Sequence, residues 1–237
     1  MIKEAIVLAG GLGKRLRKVV KDVPKPMADV NGKPFLEYLL TFLARQKIEK
    51  VVLSVGYKYE VIKNYFGNSF SGMKLVYSIE SKPLGTGGGI RRSLSFVDSN
   101  EAFVLNGDTF FDIDMEKLYF FHKEKNSVLS VALKPMRHFD RYGSVKLDKN
   151  NRIIGFEEKK YYESGLINGG IYLLNKNFFM SFALEEFSFE KDFLEKYYNS
   201  YAFYGLEFRD YFIDIGIPED YEKFKKYAKK FLTKNMF

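Results

Sequence analysis

The feature that most constrains the fold is a short apolar run near the N-terminus that ends in glycines. Residues 5–9 read Ala-Ile-Val-Leu-Ala, and Gly10 and Gly11 follow directly. A short, continuously apolar run bounded by glycines is typical of a strand buried on both faces, as in parallel sheets covered by helices. The run therefore predicts the first strand of an α/β fold, with a loop at the strand end where such sheets bind ligands.

Strand-like and helix-like segments then alternate along the first half of the chain, and shorter segments follow Pro135. Apolar runs and β-rich segments predict strands at residues 51–55, 74–79, 102–105, 127–133, 144–147, 152–157, 167–174 and 211–215. Helical spacing of apolar residues predicts helices from Pro34 and at residues 59–66, 88–95, 115–123, near 178–197 and at 219–231.

Together these segments predict one doubly wound, mostly parallel, Rossmann-like α/β domain over residues 1–237, with a β-rich substrate-binding insertion. Residues 1–134 are expected to form mainly the nucleotide-binding half. Residues 135–237 are expected to form mainly the β-rich lobe and a closing helix.

Composition narrows the classes of protein to consider. The chain has no Cys, so it has neither disulfides nor thiolate metal sites. No apolar run approaches the ~20 residues of a membrane-spanning helix, and no signal peptide is visible, which favours a cytoplasmic protein without a membrane partner. The net charge of +8 suits anionic partners. Because the lysines are dispersed, we expect small phosphorylated ligands rather than nucleic acid.

The loop after the first strand is rich in glycine and basic residues: residues 8–16 read Leu-Ala-Gly-Gly-Leu-Gly-Lys-Arg-Leu. Exposed backbone N–H groups in such a loop can bind phosphate. Leu16 stands where a dinucleotide-binding fingerprint needs a third glycine, and Arg15 stands where a Walker motif needs Ser or Thr. The pattern thus disfavours an oxidoreductase and a P-loop NTPase, while a purely structural tight turn stays open.

A second basic position lies between two prolines. Pro24 and Pro26 restrict the backbone on both sides of Lys25, which can hold its ammonium at a defined point near a phosphate. Taken alone, Lys25 could equally be an exposed lysine on a stiff loop.

In combination, residues 8–16 and 24–26 resemble the signature of the sugar-phosphate nucleotidyltransferases, also called sugar nucleotide pyrophosphorylases. Five further blocks resemble this family in the same order, which makes six with this signature. They are Pro-Leu-Gly-Thr-Gly-Gly-Gly at 83–89, Leu-Asn-Gly-Asp at 105–108, Phe-Glu-Glu-Lys at 156–159, Asn-Gly-Gly-Ile-Tyr at 168–172 and Asp-Ile-Gly-Ile-Pro-Glu-Asp-Tyr at 214–221. The chain departs from some members at residues 18–20, which read Lys-Val-Val, and at Lys160, where a proline is frequent.

The resemblance implies a reaction in which a sugar 1-phosphate attacks the α-phosphorus of a nucleoside triphosphate and releases pyrophosphate. It implies that Asp108 and Asp214 hold Mg²⁺, that Arg15 binds the departing pyrophosphate and that Lys25 approaches the α-phosphate. The nucleotide-binding residues it implies are Leu8, Ala9, Gly10, Gly11, Gly13, Arg15, Lys25, Glu80, Pro83, Gly85, Thr86, Gly88 and Asp108. It implies that the β-rich insertion binds the sugar, so that residues 135–237 form mainly a sugar-phosphate-binding lobe with the closing helix. The sugar-phosphate-binding residues it implies are Asn106, Gly143, Glu158, Lys159, Asn168 and Gly169.

Other polar residues are expected to be structural. Asp112 and Asp114 follow the strand end, and Asp114 can cap the helix that begins at Met115. His122 and His138 have no partner at catalytic or metal-ligand spacing, and the mechanism needs no histidine.

Glu80 bears on the choice of base. A carboxylate accepts hydrogen bonds from the N1–H and 2-amino group of guanine, whereas uracil and thymine would oppose it with carbonyl oxygens. The sequence thus favours GTP. Within the family, residues 141–144, 156–159, 166–174 and 211–216 most resemble enzymes that guanylylate D-glycero-D-manno-heptose 1-phosphate for bacterial surface polysaccharides. A mannose 1-phosphate guanylyltransferase and a uridylyl- or thymidylyltransferase are the alternatives.

Two readings from other classes are also considered. A glycosyltransferase would carry an Asp-x-Asp motif at a central strand end, and residues 112–114 lie beyond that position. A catalytically silent subunit that binds sugar nucleotides would not need Arg15, Lys25, Asp108, Lys159 and Asp214 together. A homo-oligomer is compatible with the sequence, which does not specify one.

Overall fold

The computed structural model describes residues 2–11, 23–157 and 159–233. The strands are β1 (Glu4–Leu8), β2 (Asp29–Val30), β3 (Lys33–Pro34), β4 (Lys50–Val55), β5 (Ser69–Phe70), β6 (Met73–Ile79), β7 (Glu101–Asn106), β8 (Thr109–Phe111), β9 (Leu129–Phe139), β10 (Ser144–Leu147), β11 (Ile153–Glu157), β12 (Tyr162–Asn175), β13 (Phe203–Glu207) and β14 (Phe212–Asp214). The α-helices are α1 (Phe35–Arg45), α2 (Tyr59–Phe66), α3 (Gly85–Leu94), α4 (Met115–Glu124), α5 (Lys176–Met180), α6 (Glu195–Tyr197) and α7 (Pro218–Thr233). A 3₁₀ turn spans Lys25–Met27, and a π-helical turn spans Phe189–Leu194.

A central sheet organises these elements. Strands β7, β1, β4 and β6 are parallel neighbours, and β12 adds antiparallel to β7. The long strand β12 also pairs with β9 and, near its start, with β10, so the sheet continues into the second half of the chain. Strand β9 runs through Pro135, across the expected boundary between the two halves.

Apolar side chains cover both faces of this sheet. Val51 and Leu53 of β4 lie in the core formed with α1, α4 and α7, whereas Val52 between them lies in the core formed with α3 and the π-helical turn. Successive side chains of a strand point to opposite faces, so a run that is apolar at every position is buried on both. The predicted α/β class, with a mostly parallel core covered on both faces, is confirmed.

Several elements differ from the sequence-based expectation. Helix α3 begins at Gly85 rather than residue 88, and β9 extends six residues beyond the predicted end at 133. The short strands β8 and β13 carry too few alternating apolar residues to be recognised alone, and each forms through pairing with a distant strand. In the described part of the chain, no helix has the length and apolar character that crossing a membrane requires.

Candidate active site

A cleft of about 840 Å³ opens at the carboxyl ends of the parallel strands. Its position is that expected for ligand binding by an open α/β sheet. Backbone bonds tie the strand ends together there: the N–H of Ala9 donates to Ser54, and the N–H of Gly107 donates to Leu8. The predicted site residues that line the cleft are Leu8, Gly10, Gly11, Lys25, Glu80, Pro83, Gly85, Thr86, Asn106 and Asp108.

Lys25 is held at the centre of this site by the turn that carries it. Pro24 caps the 3₁₀ turn and Pro26 lies within it, so the backbone direction on both sides of Lys25 is restricted. The side chain is only 9% exposed, and its Nζ lies 2.6 Å from Asp108 Oδ2 and 3.4 Å from Asp214 Oδ1. A buried ammonium of this kind requires such carboxylate partners.

The two aspartates meet because β8 and β14 pair in antiparallel fashion, with Asp214 opposite Thr109. The N–H of Ile215 donates to the backbone oxygen of Asp108 over 3.0 Å, and the N–H of Gly216 donates to Asp214 Oδ1 over 2.7 Å. A side chain at Gly216 would place its Cβ 2.9 Å from that carboxylate oxygen. The turn after β14 therefore fixes the direction of the Asp214 carboxylate.

The donor set suits a magnesium ion. Asp108 and Asp214 both reach the same Nζ, so their oxygens converge on one point. In the described ranges no group of three or more His, Cys, Asp or Glu side chains is placed to hold a metal. Mg²⁺ usually takes one or two protein carboxylates and completes its shell with substrate phosphates and water, so two convergent carboxylates beside a cleft with room for a phosphorylated ligand fit this ion.

The two other aspartates after the strand end have structural partners, as expected. Asp114 Oδ1 accepts from the N–H groups of Glu116 and Lys117 and so caps α4. Asp112 Oδ2 accepts from the hydroxyl of Tyr227 over 2.8 Å. Neither joins the carboxylate pair, which leaves the Asp-x-Asp reading without structural support.

Glu80 lies at the cleft wall, just after β6. Its Oε1 accepts from the hydroxyl of Ser54 over 3.1 Å, and its Oε2 accepts from the N–H of Leu84 over 3.2 Å. These two bonds orient the carboxylate beside the N-terminus of α3, whose dipole favours a negative charge. An ionised carboxylate has about four lone-pair positions, so Glu80 keeps acceptor capacity for a ligand.

The glycines of the 83–89 loop have a packing role that the sequence did not reveal. A Cβ at Gly85 would lie 2.4 Å from the backbone oxygen of Phe187, and one at Gly87 would lie 2.1 Å from the Phe187 ring. Gly88, which is buried, would meet the oxygen of Glu185 at 2.2 Å. The loop is bonded to this segment as well, since the N–H of Gly87 donates to Phe187 over 2.9 Å. Glycine is therefore required here by the protein itself.

Thr86 shows the same coupling. Its Oγ1 accepts from the N–H of Phe189 over 2.8 Å, at the start of the π-helical turn. Since π-helical turns are rare and are often found at functional sites, the side chain that follows Phe189 is a candidate site residue.

That side chain is Glu190, which sequence reasoning missed because no motif marks it. Glu190 lines the cleft, and it is exposed to solvent. Desolvation raises the pKa of its carboxyl, Lys159 opposes the rise, and the charges of Asp108 and Asp214 add to it. Glu190 thus adds a third carboxylate near the pair, without being close enough to form a three-residue metal cluster.

Tyr172 is the second residue that sequence reasoning missed, although it ends the 168–172 block. Its hydroxyl lines the cleft and accepts from Asn168 Nδ2 over 2.8 Å. The N–H of Gly170 donates to Asn168 Oδ1, which fixes the orientation of that amide. Burial raises the pKa of Tyr172 well above its usual value, so the phenol stays protonated. Both polar atoms of the Asn168 amide are thus bonded within the protein, and this amide orients the Tyr172 hydroxyl.

Four other predicted residues, Ala9, Gly143, Lys159 and Gly169, are not among those that line the cleft. Gly143 sits where a Cβ would be 2.4 Å from the oxygen of Glu157, and Gly169 where one would be 2.5 Å from the Phe111 ring. Lys159 is exposed and electrostatically coupled to Glu190. Ala9 is buried. Gly13, Arg15 and Glu158 lie outside the described residues.

Neither histidine lines the cleft. His122 is 1% exposed, and its Nδ1 lies 2.9 Å from the Ser130 hydroxyl. Burial lowers its pKa to about 4, so the ring is neutral at physiological pH. His138 is at the surface, where its Nδ1 lies 2.9 Å from the hydroxyl of Tyr161.

Known proteins share this sequence and this fold. The chain is 56% identical over 222 residues to D-glycero-alpha-D-manno-heptose 1-phosphate guanylyltransferase of Campylobacter jejuni subsp. jejuni, covering 93% of this chain and 98% of that protein. It is 48% identical over 230 residues to the protein of the same name from Aneurinibacillus thermoaerophilus, covering 97% and 100%.

A solved structure agrees with both. The crystal structure of HddC from Yersinia pseudotuberculosis complexed with GMP-PN superimposes with a TM-score of 0.86 at 36% identity, over 96% of this chain and all of that one. The family described as Nucleotidyl transferase matches residues 4–230. These matches confirm the resemblance found in the six sequence blocks, and the chain belongs to the nucleotidyl transferase family.

Proposed function

We propose that this protein transfers a guanylyl group from GTP to D-glycero-α-D-manno-heptose 1-phosphate and releases pyrophosphate. The observation that carries the proposal is the 56% identity to a heptose 1-phosphate guanylyltransferase over nearly the full length of both chains. A second protein of that name at 48% identity supports the same substrate pair. The cleft supports it independently, because its cations and convergent carboxylates suit the meeting of two phosphorylated molecules.

The chemistry is an in-line displacement. An oxygen of the sugar phosphate attacks the α-phosphorus of GTP, a new P–O bond forms, and the bond to the β-phosphate oxygen breaks as pyrophosphate leaves. Negative charge spreads over the α-phosphate oxygens in the transition state, so the largest contribution of the protein is positioning and charge neutralisation. No proton transfer by a side chain is needed.

Lys25 and the two aspartates take complementary parts in this step. Lys25 supplies a buried positive charge at the strand ends, where the α-phosphate would lie. Asp108 and Asp214 would hold Mg²⁺, which neutralises phosphate charge and polarises the phosphoryl group when it is bound. We place the sugar phosphate on the side of the cleft lined by Tyr172 and Glu190, where Lys159 is electrostatically coupled to Glu190. Glu80 and the backbone at Gly85 border the side where we place guanine.

A screen for pyrophosphate release tests the proposal. GTP, ATP, CTP, UTP and dTTP are each combined with D-glycero-α-D-manno-heptose 1-phosphate, its β-anomer, mannose 1-phosphate and glucose 1-phosphate. The pair of GTP and the α-heptose phosphate should give the highest kcat/KM. A higher value for mannose 1-phosphate or for a pyrimidine triphosphate would replace the proposed substrate. Nucleotide binding without turnover of any pair would favour a silent subunit.

A further inference from the structure

An ion pair outside the cleft connects two of the segments that form it. Arg141 lies in the turn between β9 and β10, and Asp220 lies in the first turn of α7. Arg141 Nη2 donates to Asp220 Oδ2 across 79 residues of chain. The Asp220 side chain is 7% exposed and that of Arg141 is 42% exposed. Because the carboxylate is largely buried, solvent screens this ion pair less than it screens a pair of exposed side chains.

Each partner is close in sequence to a site residue. Arg141 precedes Gly143 by two positions, and Asp220 follows Asp214 by six. Between Asp214 and Asp220 the chain makes the turn in which Gly216 bonds to the Asp214 carboxylate, and then enters α7 at Pro218. The ion pair therefore joins the turn of Gly143 to the turn that orients a metal carboxylate.

The three-dimensional arrangement supports the same connection. Arg141, Asp214 and Asp220 all line a second cavity of about 600 Å³, which lies beside the cleft. Desolvation opposes the charged form of Arg141, but its hydrogen bond to Asp220 raises the pKa of the guanidinium, and the charge of Asp214 makes a smaller contribution in the same direction. Asp220 is also bonded to Lys223 over 2.8 Å, but that contact stays within α7 and joins no other segment.

We propose that Arg141 and Asp220 are positioning residues for nucleotidyl transfer. Their ion pair holds the Gly143 turn, on the sugar-phosphate side, at a fixed distance from the Asp214 turn, on the metal side. The inference rests on the proposed function for the assignment of those two sides. A displacement of about 1 Å can lower the rate of a reaction about 100-fold. This ion pair should therefore affect the position of the attacking phosphate and not the binding of the base.

The test compares Arg141→Met with Lys223→Met. Both remove a cation that donates to the Asp220 carboxylate, but only the first removes a contact between segments. Arg141→Met should raise the KM for the sugar phosphate and the Mg²⁺ concentration for half-maximal activity about tenfold, with the KM for GTP unchanged within about twofold. Lys223→Met should leave all three values within about twofold, as expected for a pair within one helix.

Hydrogen exchange provides a readout that does not depend on turnover. The N–H groups of Ile215 and Gly216 donate to Asp108 and to Asp214, and they should exchange faster in Arg141→Met but not in Lys223→Met. The doubly reversed variant Arg141→Asp with Asp220→Arg should recover part of the sugar-phosphate KM that Arg141→Asp alone loses, provided both remain folded by circular dichroism.

Three results would overturn the proposal. They are a lower Tm with unchanged kinetics in Arg141→Met, an equal effect in Lys223→Met, or a parallel rise in the KM for GTP. Failure of the wild type to use heptose 1-phosphate would defeat the proposed substrate instead. The exchange rates, and the kinetics with whichever sugar phosphate does support pyrophosphate release, would then still test the role of the ion pair.

Discussion

The Nζ of Lys25 lies 2.6 Å from a carboxylate oxygen of Asp108 and 3.4 Å from one of Asp214, so a single buried cation joins the ends of two separate strands. Replacing either aspartate with Asn keeps the shape of the side chain and removes its charge. Asp108→Asn and Asp214→Asn should each lower turnover by about 100-fold or more, the effect of losing an electrostatic stabiliser. Initial rates of pyrophosphate release measure this. Asp112→Asn is the control, since Asp112 bonds to Tyr227 instead. Near wild-type turnover in Asp108→Asn or Asp214→Asn at limiting Mg²⁺ would remove that residue from the metal site.

Substitutions of Lys25 and of Lys159 should change different kinetic parameters. Lys25→Met should chiefly lower kcat, because its charge is needed where the transition state develops. Lys159→Met should chiefly raise the KM for the sugar phosphate, by roughly tenfold or more, since a hydrogen bond to a charged group contributes about 1.5–3 kcal/mol. Lys160→Met, at the adjacent exposed position, is the control and should change neither value. An unchanged sugar-phosphate KM and kcat in Lys159→Met would show that this residue has been misassigned.

Glu80 is expected to set the choice of base. Glu80→Gln replaces an acceptor with an amide that offers both a donor and an acceptor, so efficiency with GTP should fall and relative use of UTP or dTTP should rise. Ser54→Ala, which removes one bond to the carboxylate but leaves its charge, should keep the preference for GTP. The measurement is kcat/KM for the three triphosphates in each variant. Unchanged ratios of kcat/KM among the three triphosphates in Glu80→Gln would indicate that the backbone of the 83–89 loop recognises the base instead.

Gly87 should be required for stability. Its missing Cβ would lie 2.1 Å from the Phe187 ring, so Gly87→Ala should lower the free energy of unfolding by about 1–3 kcal/mol, the usual cost of overpacking. Urea unfolding measures it, with Gly155→Ala as the control, because a Cβ there meets its nearest neighbour at 3.7 Å. Combining Gly87→Ala with Phe187→Leu should recover part of the loss. Equal stability of the two single alanine variants would contradict the packing role.

His122 makes stability depend on pH. Burial lowers its pKa from 6.5 to about 4, so the unfolded chain binds this proton more tightly than the folded one. The contribution is fully present above pH 6.5 and is lost as the pH falls toward 4, by up to about 3 kcal/mol. His122→Gln should flatten the slope of unfolding free energy between pH 7 and 5, a window above the titration of most carboxylates. An unchanged slope would show that His122 is not the group responsible.

The sequence predicted those parts of the fold that local patterns encode. Helix α2 and strand β10 have their predicted bounds, because each is a single amphipathic or apolar segment between clear turns. The approach of Asp108 to Asp214 came only from family resemblance, since the short ladder between β8 and β14 that creates it is a non-local pairing.

The candidate site was likewise predictable only where a local motif marks its residues. Six blocks marked most of the cleft, but Glu190 lies in a segment whose position depends on the bonds from Phe187 and Phe189 to the 83–89 loop. No spacing rule along the chain indicates such a contact. The packing role of Gly85, Gly87 and Gly88 was hidden for the same reason, because the neighbour that excludes a side chain is about 100 residues away.

The shared strand β12 determines how this protein could be divided. It covers one edge of β7, the strand that leads to Asp108, while β1 covers the other. A fragment ending at residue 134 would contain the four parallel neighbours β7, β1, β4 and β6, yet leave the apolar strand β7 with an unpaired edge. Such edges recruit other chains, so this fragment should aggregate rather than fold as an independent nucleotide-binding unit. Because β12 pairs with strands from both parts of the chain, we expect the two halves to fold together.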